Sequence, residues 1–150
     1  MAVNRIALRP PARADRQVWG ALWRDYLDFY ETRLPEETYD IAFDRLLSDD
    51  PATFQGLLAW DGSEALGLVH WLHHPHMWRP EGVIYLQDLF TAPEARGRGI
   101  ARTLIEAVYA AADAAGAPRV YWLTQAENAT ARRLYDRIGR MSSFIKYDRP

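Results

Sequence analysis

The chain has 150 residues, 49% of them hydrophobic and 25% charged, which is ordinary for a globular protein with a sizeable core. The formal net charge of −2 lacks the basic surplus that nucleic-acid binding requires, and the absence of cysteine excludes disulfides and a cysteine nucleophile. Residues 1–10 lack a signal-peptide pattern, and no apolar run is long enough to span a membrane. We therefore expect one cytoplasmic domain over residues 1–150, with neither nucleic acid nor membrane as a partner.

The first half of the chain combines helical and strand-like periodicities. Val18, Leu22 and Tyr26 recur at helical spacing, and Asp61-Gly62 between two apolar segments is typical of a hairpin turn. The elements predicted here are a strand over 4–9, helices over 15–30 and 36–48, and strands over 53–60 and 65–72.

The second half alternates strands and helices. The segment 82–90 is β-branched, aromatic and apolar on both faces, which predicts a central strand. Around it we predict a loop over 73–82, a helix from Ile100 to Gly116, a strand over 119–124, a helix over 128–138 between Asn128 as N-cap and Gly139 as C′ residue, and a last strand over 143–147. The order β-αα-βββ-α-β-α-β predicts an α/β (mixed α+β) domain with a mixed central sheet.

A turn rich in Gly and Arg joins the central strand to the next helix. Residues 97–99 contain no Ser, Thr, Asp or Asn to cap that helix, whose first N–H groups therefore need another partner. Gly97 and Gly99 permit a positive φ, while Arg96 and Arg98 add cationic donors. This pattern predicts a pyrophosphate cradle. The alternative is a tight turn in which the glycines satisfy geometry alone.

Two motifs about thirty residues apart resemble those of the GCN5-related N-acetyltransferases (GNAT). Arg96, Gly99 and Ala101 match the acetyl-CoA motif Gln/Arg-x-x-Gly-x-Gly/Ala of that family, and the element order is similar over nearly the whole chain. Segments 84–90 and 120–124 resemble the spermidine/spermine and the fungal histone/polyamine acetyltransferases. The downstream motif consists of Asn128, Ala131, Leu134, Tyr135 and Gly139.

The resemblance implies acetyl-CoA as co-substrate and no metal. It places the pantetheine arm on the backbone of Leu89, Phe90 and Thr91. Asn128 aligns with an Asn that contacts the cofactor, in addition to its expected capping role. The pyrophosphate is expected on the turn residues Arg96, Gly97, Arg98, Gly99, Ile100 and Ala101.

Tyr135 aligns with the family's proton donor to the CoA thiolate and is also expected to contact the cofactor. A phenol with an ordinary pKa of about 10 is protonated at neutral pH and can donate to a thiolate. The other interpretation of Tyr135 is a core aromatic, since its helix carries further apolar residues.

The identity of the general base is left open. The polyamine enzymes have Glu at the position of Gln87, and a Gln side chain cannot take up a proton. We expect the neighbouring Asp88 to anchor the acceptor amine, and also consider it as a base acting through water or as a structural carboxylate paired with an Arg. Glu31 and Glu127 are further candidate acids, and water is the remaining one.

Acidic and aromatic residues predict a pocket that suits a cationic amine. Part of it is expected from the segment 26–34 between the first two helices. Alternatively, each aromatic side chain simply fills the core. The predicted acceptor-binding residues are Trp23, Tyr26, Glu31, Tyr85, Gln87, Asp88 and Trp122.

The resemblance thus predicts an N-acetyltransferase that transfers acetyl from acetyl-CoA to the primary amine of a small molecule, polyamine-like or an amino acid, by direct attack. Aminoglycoside acceptors, a protein-lysine acetyltransferase and a catalytically impaired acyl-CoA sensor are the alternatives. Pairing of C-terminal strands, common in the family, predicts a homodimer. The four histidines from His70 to His76 invite a metal interpretation, but the loop position of the last three and Pro75 favour a solvated loop or a lid over the acceptor site. His70 lies in a predicted strand and is a candidate pocket residue.

Overall fold

The computed structural model describes residues 5–150, so Asn4, the start of the predicted first strand, lies outside the described residues. The strands are β1 (Ile6–Arg9), β2 (Gln55–Asp61), β3 (Glu64–His76), β4 (Arg79–Thr91) and β5 (Val120–Tyr121), and the helices are α1 (Arg16–Phe29), α2 (Glu36–Leu47), α3 (Ile100–Ala114) and α4 (Ala129–Ile138). None of the helices described for residues 5–150 has the length and apolar character that a membrane span requires.

The five strands form one mixed sheet in the order β1-β2-β3-β4-β5. Only β4 and β5 are parallel, and α3 connects them as a crossover helix. Each face of the sheet packs against helices. On one face, a side chain on Gly67 of β3 would meet Ile100 and Leu104 of α3. His70 lies three residues further along β3 and therefore on the opposite face, where it contacts Trp19 of α1. Because both faces are covered, β3 and β4 are apolar on both sides, and the predicted fold class is confirmed.

The predicted loop over 73–82 is wrong in extent. Strand β3 continues to His76 and β4 begins at Arg79, so the two form a long hairpin whose tip exposes Met77 and Trp78. Polar side chains and Pro75 suggested a loop, but backbone pairing with β4 continues there because the tip of the hairpin is solvated on both faces.

The C-terminal part of the chain carries less regular structure than predicted. Strand β5 has two residues in place of the predicted 119–124, and the segment 143–147 forms no strand among the described residues. A strand needs a hydrogen-bonded neighbour, and residues 140–150 are all exposed. The aromatic and β-branched side chains of this segment therefore misled the prediction, since the pairing partner that a strand requires is not beside them.

Two glycines that end helices act for different reasons. Gly116 follows α3 with a φ of 70°, the left-handed conformation expected of a C′ residue. Gly139 follows α4 in an extended conformation, with a φ of −138°. A Cβ on Gly139 would lie 2.8 Å from the Trp122 ring, so close packing and not a left-handed turn requires glycine there.

Candidate active site

Strand β4 separates from the edge strand β5 after Tyr85. Pairing with β5 is limited to Ile84 and Tyr85, so the β5-facing backbone of residues 86–91 has no strand neighbour in the described chain. On the other side, β4 pairs Leu86 with Trp71 and Asp88 with His70, which leaves Gln87 as the extra residue of a β-bulge. The bulge and the separation open a cleft beside β4.

Tyr26, Tyr30, Gln87, Trp122 and Tyr135 face one another across this cleft. It contains about 250 Å³ of non-protein space, part of it open to solvent. Tyr135 lies in α4 with its ring edge-on to Trp122, at 5.5 Å between centroids. Two tyrosines from α1 thus face a third from α4 over the separated strands. The remaining lining residues are Leu86, Leu89 and Leu123.

Tyr26, Tyr30 and Tyr135 form what we call the tyrosine wall of the cleft. A carboxylate lies directly behind Tyr26. Asp88 is 8% exposed, and a buried charge of this kind is costly unless donors surround it. Three donors do so. The Tyr26 hydroxyl donates to Oδ1 at 2.8 Å, while His70 Nδ1 and Trp23 Nε1 lie 2.8 and 3.3 Å from Oδ2. The partners are thus an imidazole and two aromatic donors from α1, rather than an Arg.

This environment fixes the charge of Asp88. Burial alone would raise the pKa of the carboxyl, but the hydrogen bond and electrostatic interaction with His70, together with the hydrogen bonds from Tyr26 and Trp23, outweigh it, and the pKa lies below its ordinary value. Asp88 is therefore a carboxylate at neutral pH. Both of its oxygens already accept hydrogen bonds, which favours an electrostatic role over that of a general base.

The pKa values of the cleft tyrosines are shifted upward, opposite to that of Asp88. Burial, together with the charge of Asp88, raises the pKa of Tyr26 and of Tyr30. Burial, with a smaller contribution from Tyr30, raises the pKa of Tyr135 to about 12. All three hydroxyls are therefore protonated at neutral pH and act as hydrogen-bond donors. None of them is suited to remove a proton from an incoming group.

The turn before α3 has the geometry of an anion cradle. Gly97 and Gly99 hold φ values of 82° and 75°, and a Cβ on either would meet nothing within 4 Å. Gly99 is the N-cap residue, and no side chain caps the helix. The first N–H groups of α3 are therefore left for a ligand, which fits a pyrophosphate. Arg96 is exposed, whereas Arg98 pairs with Asp61 at 2.9 Å.

Four other residues predicted to bind the cofactor lie at the end of β4 and at the N-terminus of α4. Leu89 lines the cleft, Phe90 is buried in the core, and the hydroxyl of Thr91 is buried without a hydrogen-bond partner in the described residues. Asn128 caps α4 by accepting from the Ala131 N–H at 3.4 Å. Its predicted capping role is confirmed.

Besides Asp88, three of the predicted acceptor residues lie away from the cleft lining. Trp23 is buried behind Tyr26, and Tyr85 stacks on Tyr121 at 4.7 Å between centroids. Glu31 is exposed in the α1–α2 loop with a left-handed φ of 53°. A separate depression of about 520 Å³ lies at this loop, lined by Arg24, Asp28, Thr32, Arg33, Leu34 and Tyr39.

The histidines of the β3–β4 hairpin are engaged separately. His73 contacts the Glu81 carbonyl at 2.6 Å, His74 contacts the Tyr121 hydroxyl at 2.9 Å, and His76 accepts from the Trp78 N–H at 3.1 Å. Across residues 5–150, no group of three or more potential metal ligands lies together.

Sequence reasoning did not single out Tyr30, Leu86 and Leu123 in the lining or Trp19 behind it. It named His70 as a candidate pocket residue, but not its contact with Asp88. Tyr30 lies one helical turn after Tyr26, so the helical spacing of these two tyrosines was a usable signal. His70 lies opposite Asp88 only through the register of β3 on β4, which no local pattern reveals.

A protein-family model matches most of the chain. Residues 19–139 match the model of the acetyltransferase (GNAT) family, a span that includes the cleft, the cradle and α4. The chain belongs to the GNAT acetyltransferase family. It is accordingly an N-acetyltransferase, and the resemblance predicted from the two motifs is confirmed.

Similar proteins agree over the full length. The D-amino-acid N-acetyltransferase HPA3 of Saccharomyces cerevisiae is 35% identical over 99% of this chain and 93% of its own. Among solved structures, AAC(6')-Iy in complex with the bisubstrate analogue CoA-S-monomethyl-acetylneamine has a TM-score of 0.82 at 18% identity, with 97% of each chain covered. The ribosomal-protein-alanine N-acetyltransferase of Brucella melitensis has a TM-score of 0.77 at 21% identity, covering 97% of this GNAT chain and 96% of its own. These two structures support the fold alone.

Proposed function

We propose that this GNAT enzyme transfers the acetyl group of acetyl-CoA to the primary amine of a small molecule with a single cationic amine, such as an amino acid. The cleft between β4 and β5 carries the proposal, because it joins the anion cradle to an aromatic wall backed by one carboxylate. The similar yeast protein, named a D-amino-acid N-acetyltransferase, supports amino acids as the acceptor class.

The charges of the cleft favour one amine over several. Asp88 is hydrogen-bonded to the lining residue Tyr26, and the lining residues themselves are aromatic, aliphatic or amide. Tyr26, Tyr30 and Trp122 present ring faces and edges that suit one ammonium group. A polyamine would require further carboxylates along its length, and the described lining does not supply them. We therefore rank a polyamine-like acceptor second.

The chemistry supplied by acetyl-CoA is an activated acyl group, which the amine nitrogen takes from the CoA sulfur without a covalent enzyme intermediate. The cradle at 96–101 would hold the pyrophosphate, and the free backbone of Leu89, Phe90 and Thr91 would hold the pantetheine arm. Tyr135 would donate a proton to the departing sulfur. The ammonium group loses one proton to water before attack, and the nitrogen loses a second as the amide forms, which returns to Tyr135 through solvent, so protons balance. Asn128 would add a cofactor contact beyond its capping role.

The acceptor side is proposed to use Asp88 as an electrostatic anchor. Its negative charge lies one hydrogen bond behind the Tyr26 hydroxyl, so it attracts an ammonium group without direct contact. Gln87 and Trp122 would complete the lining, with Trp23 and Tyr85 supporting it from behind and from the side. Glu31 would act at the mouth formed by the α1–α2 loop. Water takes the amine proton in this scheme, since the cleft phenols are donors.

The test is calorimetric titration of acetyl-CoA, followed by a thiol-release assay with a panel of acceptors. The panel contains D- and L-amino acids, spermidine, an aminoglycoside and a lysine peptide. We expect saturable acetyl-CoA binding and release of CoA with amino acids above the other classes. Binding without release would support the acyl-CoA sensor, release with the lysine peptide alone would support a protein acceptor, and no binding would refute the cradle.

We further propose that the enzyme is a homodimer. The segment 141–150 exposes Met141, Phe144, Ile145 and Tyr147, and each is at least 74% exposed. The neighbouring edge strand β5 exposes Tyr121 and has no strand on its outer side among the described residues. A second copy of the chain would cover both features. The cytoplasmic location and the absence of nucleic-acid and membrane partners stay predictions.

A further inference from the structure

A buried histidine is linked to the tyrosine wall without touching the cleft. His70 in β3 is 6% exposed and lies opposite Asp88 in β4. Its Nδ1 is 2.8 Å from Asp88 Oδ2, and its Nε2 is 2.9 Å from the indole nitrogen of Trp19. Neither His70 nor Trp19 lines the cleft.

The two contacts together fix the proton on this imidazole. An indole N–H can only donate, so Nε2 of His70 must present a lone pair to Trp19. A carboxylate can only accept, so Nδ1 must carry the proton that points at Asp88. His70 is therefore the neutral Nδ1–H tautomer, and it cannot reverse its roles while Trp19 stays in place.

The His70 N–H holds the Asp88 carboxylate in place, and the carboxylate in turn fixes the Tyr26 hydroxyl. Asp88 Oδ2 receives His70 and Trp23, which leaves Oδ1 for Tyr26 at 2.8 Å. Tyr26 has one hydroxyl proton, and it is committed to that carboxylate. The face that its oxygen turns to the cleft therefore offers lone pairs only. Such a face accepts an N–H donor and rejects a group that brings only acceptor oxygens.

We propose that His70, held by Trp19, is a positioning residue for the acceptor amine. It acts through Asp88 and sets the direction of the Tyr26 hydroxyl, so that the Tyr26 oxygen is the hydrogen-bond acceptor for the substrate N–H. The inference rests on the proposed function, because it assigns the amine-recognition contact of that same cleft. It adds two buried residues, one from β3 and one from α1, that the cleft lining does not include.

The chain of contacts predicts a specific kinetic pattern. His70→Leu removes the donor to Asp88 and should raise the KM of the amine about tenfold, with the KM of acetyl-CoA unchanged because the cradle lies on α3. His70→Asn retains an N–H donor near the position of Nδ1 and should restore most of the amine KM. The double variant Tyr26→Phe/His70→Leu should be no worse than Tyr26→Phe alone, since His70 acts through that hydroxyl.

Imidazole NMR of the wild-type protein with ¹⁵N-labelled histidine provides a readout that needs no catalysis. We expect His70 to show a protonated Nδ1 and an unprotonated Nε2 at neutral pH. The opposite tautomer or an imidazolium would overturn the inference even if His70→Leu failed to fold. So would additive effects of Tyr26→Phe and His70→Leu, or an equal rise of both KM values. A wild-type protein that shows the expected tautomer but acetylates no amine would instead refute the proposed function.

Discussion

Asp88 is a buried charge whose surroundings are assembled from three elements. Trp23 and Tyr26 of α1 and His70 of β3 each give it a hydrogen bond, and hydrogen bonds to charged groups contribute about 1.5–3 kcal/mol each. Their sum offsets a desolvation cost of several kcal/mol for one ion. The carboxylate is thus retained at little net cost to stability, and its field is available to the cleft in front of it.

Tyr135→Phe tests whether the Tyr135 hydroxyl donates the proton to the departing sulfur. The side chain keeps its ring against Trp122 and loses only the hydroxyl, so acetyl-CoA affinity should stay within about twofold. Because its pKa of about 12 makes the phenol a persistent but weak acid, we expect kcat to fall by about 10², the lower end for general acids. Steady-state kinetics and acetyl-CoA calorimetry measure the two quantities. An unchanged kcat would remove Tyr135 from the mechanism.

The pH dependence should follow the substrate amine. The pKa of Asp88 lies below its ordinary value near 3.9, and that of Tyr135 lies at about 12, so neither changes its charge between pH 6 and 9. We expect kcat/KM to rise tenfold per pH unit up to the pKa of the amine, and the plateau to move when an amine of lower pKa is used. Rates over this range with two acceptors of different pKa provide the measurement. A plateau that stayed in place would indicate a base on the enzyme.

At the scale of elements, helix α3 carries a positive-φ glycine at each end. Gly99 precedes its first turn with a φ of 75° and Gly116 follows its last turn with a φ of 70°, and a Cβ on either would meet nothing within 4 Å. Both positions therefore require the left-handed backbone conformation, one at each end of the same helix. Only the N-terminal one lies at the cradle.

This symmetry gives a matched pair of variants. Gly99→Ala and Gly116→Ala should each cost about 1–2 kcal/mol of stability through the left-handed backbone. Only Gly99→Ala should weaken acetyl-CoA binding, by about tenfold or more, because strain there moves the N–H groups that face the phosphates. Thermal unfolding and calorimetry of both variants decide the matter. An equal loss of affinity at Gly116 would trace the effect to helix stability and not to the cradle.

Some of these elements could be predicted from the sequence alone, and others could not. Helices α1 to α4, the strand before the cradle and the cap at Asn128 follow from local spacing and turn chemistry, and the GNAT motifs follow from residues on single elements. The cleft depends on where β4 leaves β5 and on a bulge at Gln87, and neither is encoded in a local period. The contact between His70 and Asp88 likewise needs the register of two paired strands, since the residues lie 18 positions apart in sequence.

On the scale of the whole molecule, packing is uneven along the chain. The layers formed by α1, α3 and the sheet contain the fully buried side chains, whereas α4 has no buried residue and 140–150 are exposed. Yet α4 provides Tyr135 to the cleft. The part of the molecule that completes the proposed active site is therefore among the least packed, so covering it in the proposed dimer would bear directly on catalysis.

Substitution in the C-terminal segment tests the proposed dimer. Phe144 and Tyr147 are 82% and 88% exposed, and replacing both by Ser should raise the dimer dissociation constant at least tenfold, since their apolar area is buried only against a second copy. The control is Met77→Ser/Trp78→Ser at the hairpin tip, where the side chains are 98% and 76% exposed. Light scattering over a dilution series measures both variants. A wild-type monomer at all concentrations, or equal weakening by the two double variants, would refute an interface at residues 141–150.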